Sequence, residues 1–137
     1  MAEGILRSKI DGTDITVDSA GTSSYHEGEN PDARAVKTLR KKGINIGNLV
    51  ARQFLVEDFD RFDLIYTMDS SNYNNVLKLA RNEQDREKVK MLVNELMPGS
   101  NAEVPDPYFG GDHGFEEVFK LLNDATDKLL ERLENGK

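Results

Sequence analysis

A chain of 137 residues can bury one real core, and its 37% hydrophobic and 31% charged residues describe a globular protein surrounded by water. The net charge of -7 argues against nucleic acid as a partner, because phosphate-backbone affinity rests on clustered Lys and Arg. Cysteine is absent, which excludes disulfides, thiolate metal sites and a cysteine nucleophile among these residues. The opening MAEGILRSKI mixes acid and base without an apolar stretch, so it does not read as a secretion signal. No run is long and apolar enough for a membrane span, and the expected location is the cytoplasm.

In chain order, Ala2 to Lys9 predicts a short helix whose apolar face is Ile5 and Leu6. Asp11-Gly12 marks a turn, and Ile15 and Val17 alternate with polar neighbours in a predicted strand that ends at Asp18-Ser19-Ala20-Gly21. A polar loop from Thr22 leads to Asn30, a good N-cap, and Pro31, suited to a first helical position. Ala33, Val36 and Leu39 repeat every three residues until Gly43 stops the helix, and Arg40, Lys41 and Lys42 complement its dipole. Ile44 to Gln53 fits either a packed loop or a short extended piece.

Val56 to Phe62 predicts a helical turn, and Leu64-Ile65-Tyr66-Thr67-Met68 is a continuous apolar run of strand length, as expected of a strand covered on both faces. Asp69, Ser70 and Asn72 offer caps for a helix whose inner face is Tyr73, Val76, Leu77 and Ala80. Lys88 to Val93 is a weaker third strand. Phe115, Val118, Phe119, Leu122, Ala125, Leu129, Leu130 and Leu133 then mark a long amphipathic helix.

Between these last two elements lies VPDPYFGG, Val104 to Gly111. Two prolines hold the backbone around Asp106 away from helix, and two aromatics and two glycines close the segment. A carboxylate fixed in this way can serve as a general acid if it faces a cleft, whereas the plain alternative is a proline-rich surface turn. Strands alternating with helices predict a single α/β domain over residues 1–137, with parallel layers joined by right-handed crossovers. A doubly wound domain normally begins with a strand, and no such opening strand is found here.

Four ordered stretches resemble the low-molecular-weight protein-tyrosine phosphatases: DSAGT at Asp18 to Thr22, ARQ at Ala51 to Gln53, DLIYTMDSSN at Asp63 to Asn72, and VPDPYFGG. MAEGILRSK looks like the helix that follows that family's phosphate-binding loop. The resemblance implies a three-layer fold, a twisted parallel sheet flanked by helices, in which the first strand lies inside the sheet and is missing from this chain. It implies phosphomonoester hydrolysis, mainly of phosphotyrosine, through a cysteinyl phosphate. The nucleophile opens a loop of Cys, five residues and Arg, and neither that cysteine nor that arginine matches a residue here.

What the resemblance carries over is Asp106 as general acid to the leaving phenolate oxygen. Tyr108 and Phe109 match the aromatic pair beside the acid, and Tyr25 matches the opposite wall of a phenyl-ring sandwich. Ser19 corresponds to the serine that supports the phosphate loop; its plain alternative is a strand terminator. Leu49 stands where the family often has a supporting histidine. Arg52 is expected in an ion pair rather than on phosphate. His26 and His113 are expected in solvent, and no spacing reads as a metal site.

The implied substrate is a phosphotyrosine protein or a small aryl phosphate, with no cofactor, no metal, no nucleic acid and no membrane. An internal methionine mistaken for an initiator would account for Met1-Ala2-Glu3, and predicts in-frame codons for a strand, a Cys and an Arg ahead of Met1. The alternative is a non-catalytic pseudophosphatase or strand-accepting module, with self-association through exposed sheet edges. Arsenate reductase shares the scaffold and the same need for cysteines. A hydrolase built on Ser23, Ser24 and His26 lacks the strained turn that such a nucleophile needs.

Overall fold

Residues 1–10, 12–21, 33–47, 52–105 and 111–135 are described by a computed structural model. The elements run α1 (Ala2–Arg7), α2 (Ala33–Lys41), α3 (Asp58–Arg61), β1 (Ile65–Thr67), α4 (Ser70–Leu79), α5 (Glu83–Lys88), β2 (Val89–Met91) and α6 (Gly111–Asn135), with a single 3-10 turn, Leu92–Glu95, directly after β2. β1 and β2 are parallel, Ile65 opposite Val89 and Thr67 opposite Met91, and α4 and α5 form the crossover between them. This is an α/β fold with a parallel sheet flanked by helices.

The helix ends follow local chemistry. Gly43 lies in the left-handed region at φ +79°, its amide donates to Arg40 O at 3.0 Å, and the Ile44 amide donates to Leu39 O at 2.9 Å. That paired closure satisfies carbonyls that α2 would otherwise leave without partners, and glycine adopts the conformation without a Cβ penalty. At the start of α4 the Asp69 carboxylate accepts from the Asn72 amide at 2.7 Å, and at α5 the Asn82 side chain accepts from the Asp85 amide at 2.9 Å. The α5 helix was not expected, because its face shows no apolar repeat and its buried residue is Asp85.

Period-2 geometry divides the core. Ile65 and Val89 share one sheet face and pack with Phe54, Phe59 and Val76 in one cluster, while Tyr66 turns to the other face. There α1, α2 and α6 build the larger cluster, with Ile5, Leu39 and the α6 stripe Phe115, Val118, Leu122, Ala125 and Leu129 buried together. The two clusters have no buried residue in common, and residues of both line a cavity of about 1380 Å³ between them.

Two strand expectations need correction. Residues 15–20 belong to no strand, although Ile15 and Val17 alternate as predicted, because a strand exists only where a neighbour supplies hydrogen bonds, and none of the described residues does. Gly21 alone makes a parallel bridge, to Gln53. The strand expected from Lys88 to Val93 is confined to Val89–Met91, since its last residues turn into the 3-10 segment.

Candidate active site

Three segments meet along the cavity: the start of α1, residues 18–20, and the carboxyl end of β1 with the stretch that leads to Pro105. Parallel sheets expose their ligand-binding loops at the carboxyl ends of the strands, so the placement suits a site. Beyond Thr67 the Met68 carbonyl accepts from the Val104 amide at 2.7 Å, and the Glu103 carboxylate accepts from the Ser70 amide at 2.8 Å. The Ser70 hydrogen bonds at the α4 terminus hold the Glu103 pKa below its usual value. Pro105 is thereby tethered on the cavity wall. Asp106, Tyr108 and Phe109 follow it in sequence but lie outside the described residues, as do Tyr25, His26 and Leu49.

Ser19 is placed. Its hydroxyl donates to the Glu3 carboxylate, and its amide donates to Asp18 Oδ1 at 2.8 Å. Glu3 also pairs with Arg7 Nε at 2.8 Å, one turn along α1. The result is a polar brace between residues 18–19 and the first turn of α1, in which Glu3 was not singled out from the sequence. No local pattern could have revealed it, because the two residues lie 16 positions apart.

Arg52 is the hub of a second brace, as expected of an ion-paired residue. Its Nη1 donates to Asp58 Oδ2 at 2.9 Å and its Nε to Asp18 Oδ2 at 3.1 Å. The Asp58 hydrogen bond, working against burial, lifts the guanidinium pKa above its usual value. Asp58 is 1% exposed and also accepts from the Leu55 amide at 2.8 Å. Burial pushes the Asp58 carboxyl up, but the bonds from Arg52 and Leu55 outweigh it and hold the pKa below the usual carboxylate value. An arginine committed to two carboxylates positions residues 18–21 beside α3, and its charge is spent within the protein. Among the described residues no group of three or more His, Asp or Glu could hold a metal ion.

The low molecular weight phosphotyrosine protein phosphatase family matches residues 1–137. A Synechocystis protein assigned to the low molecular weight protein-tyrosine phosphatases is 47% identical over 136 residues, covering 96% of this chain and 86% of the relative. This chain belongs to that phosphatase family. A low molecular weight phosphotyrosine protein phosphatase of Schizosaccharomyces pombe is 35% identical over 138 residues, covering 97% of this chain and 87% of the relative. Among solved structures, a protein tyrosine phosphatase from Entamoeba histolytica superimposes with a TM-score of 0.88 at 37% identity, covering 98% of this chain and 88% of that one. Within this phosphatase family member, the described part of the candidate site is the Ser19–Glu3 brace, the Arg52 hub and the tethered approach to Pro105. Among the described residues no helix is long and apolar enough to cross a membrane.

Proposed function

We propose that this chain carries the acid-bearing and ring-holding side of a phosphotyrosine phosphatase site. Asp106 donates the proton that the leaving phenolate oxygen needs, Tyr25, Tyr108 and Phe109 flank the aryl ring, and Ser19 braces the phosphate-binding side. The observation that supports this reading is the family match over residues 1–137, VPDPYFGG included. The substrate would be a phosphotyrosine protein or a small aryl phosphate, and the setting the cytoplasm.

The chemistry also sets a limit. A general acid contributes about 10²–10⁴-fold, and it assists an attack that here has no cysteine to make it. The chain by itself therefore hydrolyses no p-nitrophenyl phosphate above buffer. Hydrolysis that disappears in Asp106→Ala would show that another residue attacks, and would overturn this limit. Hydrolysis unaffected by Asp106→Ala would overturn the acid assignment. A second reading, a non-catalytic module that accepts a strand, draws support from the cavity between the two core clusters.

A further inference from the structure

Like charges three or four residues apart on a helix repel, and a solvent-facing helix ordinarily relieves this by setting acids among its bases. Three helices of this chain do so. Arg7 pairs with Glu3 on α1 at 2.8 Å, Arg86 with Glu83 on α5 at 3.3 Å, and Lys128 with Glu131 on α6 at 3.8 Å. α2 does not: it carries Arg34, Lys37, Arg40 and Lys41 and no acid at all. The acid-free stretch outruns the helix, from Ala33 to Val56, in a chain whose net charge is -7.

The bases of this stretch are held differently. Arg52 is committed to Asp58 and Asp18, and Lys42 to Glu116 at 3.2 Å, its ammonium also 5.2 Å from the centre of the Phe119 ring. The Arg34 guanidinium lies over the Phe115 ring, 5.0 Å from its centre. Lys37, Arg40 and Lys41 are exposed, and spacings of three and four residues set them on one face, opposite buried Ala35, Thr38 and Leu39. The side chains of Arg40 and Lys41 form no ion pair or hydrogen bond with a described residue. A helix dipole favours bases in the last turn, which accounts for Arg40 and Lys41 but not for Lys37 beside them or for the lack of any acid.

An outward face of one sign suits an occupant of the other, and the surroundings narrow its kind. An anionic membrane needs apolar anchors beside the bases, and the exposed large apolar residues among those described are Leu55, Leu79 and Met97, none of them on α2. A nucleic acid carries its phosphates far beyond this face, so the acids elsewhere on a chain of net charge -7 would be drawn against it. A short acidic segment meets the bases alone. Lys37 to Lys41 spans about 6 Å of helix, a length that about two or three extended residues cover.

We propose that the outward face of α2 docks an acidic segment of another polypeptide, in which a run of Asp or Glu residues meets Lys37, Arg40 and Lys41. Docking here stands whether or not phosphate esters are hydrolysed, so the two can fail separately.

The test adds a synthetic peptide of four consecutive glutamates between Gly-Ser ends to the whole, isotopically labelled chain and follows the amide signals by nuclear magnetic resonance at about 50 mM salt. The expected result is saturating shifts centred on residues 36–42, a dissociation constant of about 1 mM or tighter, and severalfold weaker binding at about 200 mM salt. Arg40→Gln combined with Lys41→Gln should weaken binding by about tenfold, whereas Lys128→Gln, on the exposed side of α6, should change it by less than about twofold. All the substituted side chains are exposed, so the far-ultraviolet circular dichroism should stay that of the parent. Equal loss in Lys128→Gln, or shifts spread over the bases of α1, α5 and α6, would mean diffuse attraction and would overturn the proposal. So would tighter binding at this face by a five-nucleotide oligothymidylate, which carries the same four charges, or by phosphatidylserine vesicles. A peptide-free dimer that covers α2 and comes apart with salt would give the face to a second copy of this chain and overturn it too.

Discussion

Replacing Asp58 by Asn tests the hub that holds residues 18–21 and 52–55 to α3. The native carboxylate, 1% exposed, accepts from Arg52 Nη1 at 2.9 Å, Arg52 Nη2 at 3.3 Å and the Leu55 amide at 2.8 Å. Asp58→Asn keeps the shape and one acceptor oxygen, but it removes the charge and turns an NH₂ group toward a guanidinium that has donors alone. A hydrogen bond to a charged group contributes about 1.5–3 kcal/mol, and stripping one partner from a fully buried pair costs about 3–5 kcal/mol. Arg52 is 29% exposed and keeps Asp18 at 3.1 Å, so water and the second carboxylate recover part of the loss. The expected destabilisation is about 2 kcal/mol, a large share of the roughly 5–15 kcal/mol of a typical domain.

Urea unfolding of both proteins across a pH series reads this directly. The folded-state pKa of Asp58 is depressed, so its contribution is fully present above the unfolded value of 3.8 and is lost as pH falls through the folded value. The difference between the two proteins should stay level from neutral pH to about 5 and narrow below about 4. A difference under about 0.5 kcal/mol at neutral pH, or one that does not narrow in acid, would refute the assignment of that stability to the ionised pair.

Two further outcomes follow from local geometry. Gly43→Ala places a Cβ in open space but at φ +79°, so backbone strain without a clash should lower stability by about 1 kcal/mol in urea unfolding, and an unchanged midpoint would contradict the left-handed closure of α2. Tyr66 donates to Glu95 Oε1 at 2.6 Å and accepts from Arg132 Nη2 at 2.7 Å, and burial followed by the Glu95 contact pushes its pKa well above the usual 10.0. Stability from the neutral phenol is therefore complete below about pH 10 and declines above it as the unfolded chain ionises; Tyr66→Phe should cost about 1 kcal/mol at neutral pH and lack that alkaline decline.

Much of the helical framework is written in short stretches. The three-to-four-residue spacing from Phe115 to Leu129 predicts the buried face of α6, Asp69 caps α4 where expected, and Gly43 ends α2. α5 escaped because its signals are electrostatic: an Asn82 cap, acids Glu83 and Asp85 in the first turn, and bases Arg86 and Lys88 in the last. The approach to the site, Val104-Pro105, could be read from its prolines, but its tether to Met68 and Ser70 could not.

What the sequence determined by itself is whatever neighbours within a turn or two can decide: helical periods, caps, the fixed backbone around two prolines, and the lack of any thiol. The tertiary structure decided the pairings. It chose Glu3 as the partner of Ser19 and Asp58 as the partner of Arg52, and it left Ile15 and Val17 without the strand that their alternation favours. A strand is a property of two backbones and an ion pair of two distant side chains, so neither is settled until the rest of the chain brings, or fails to bring, the second member.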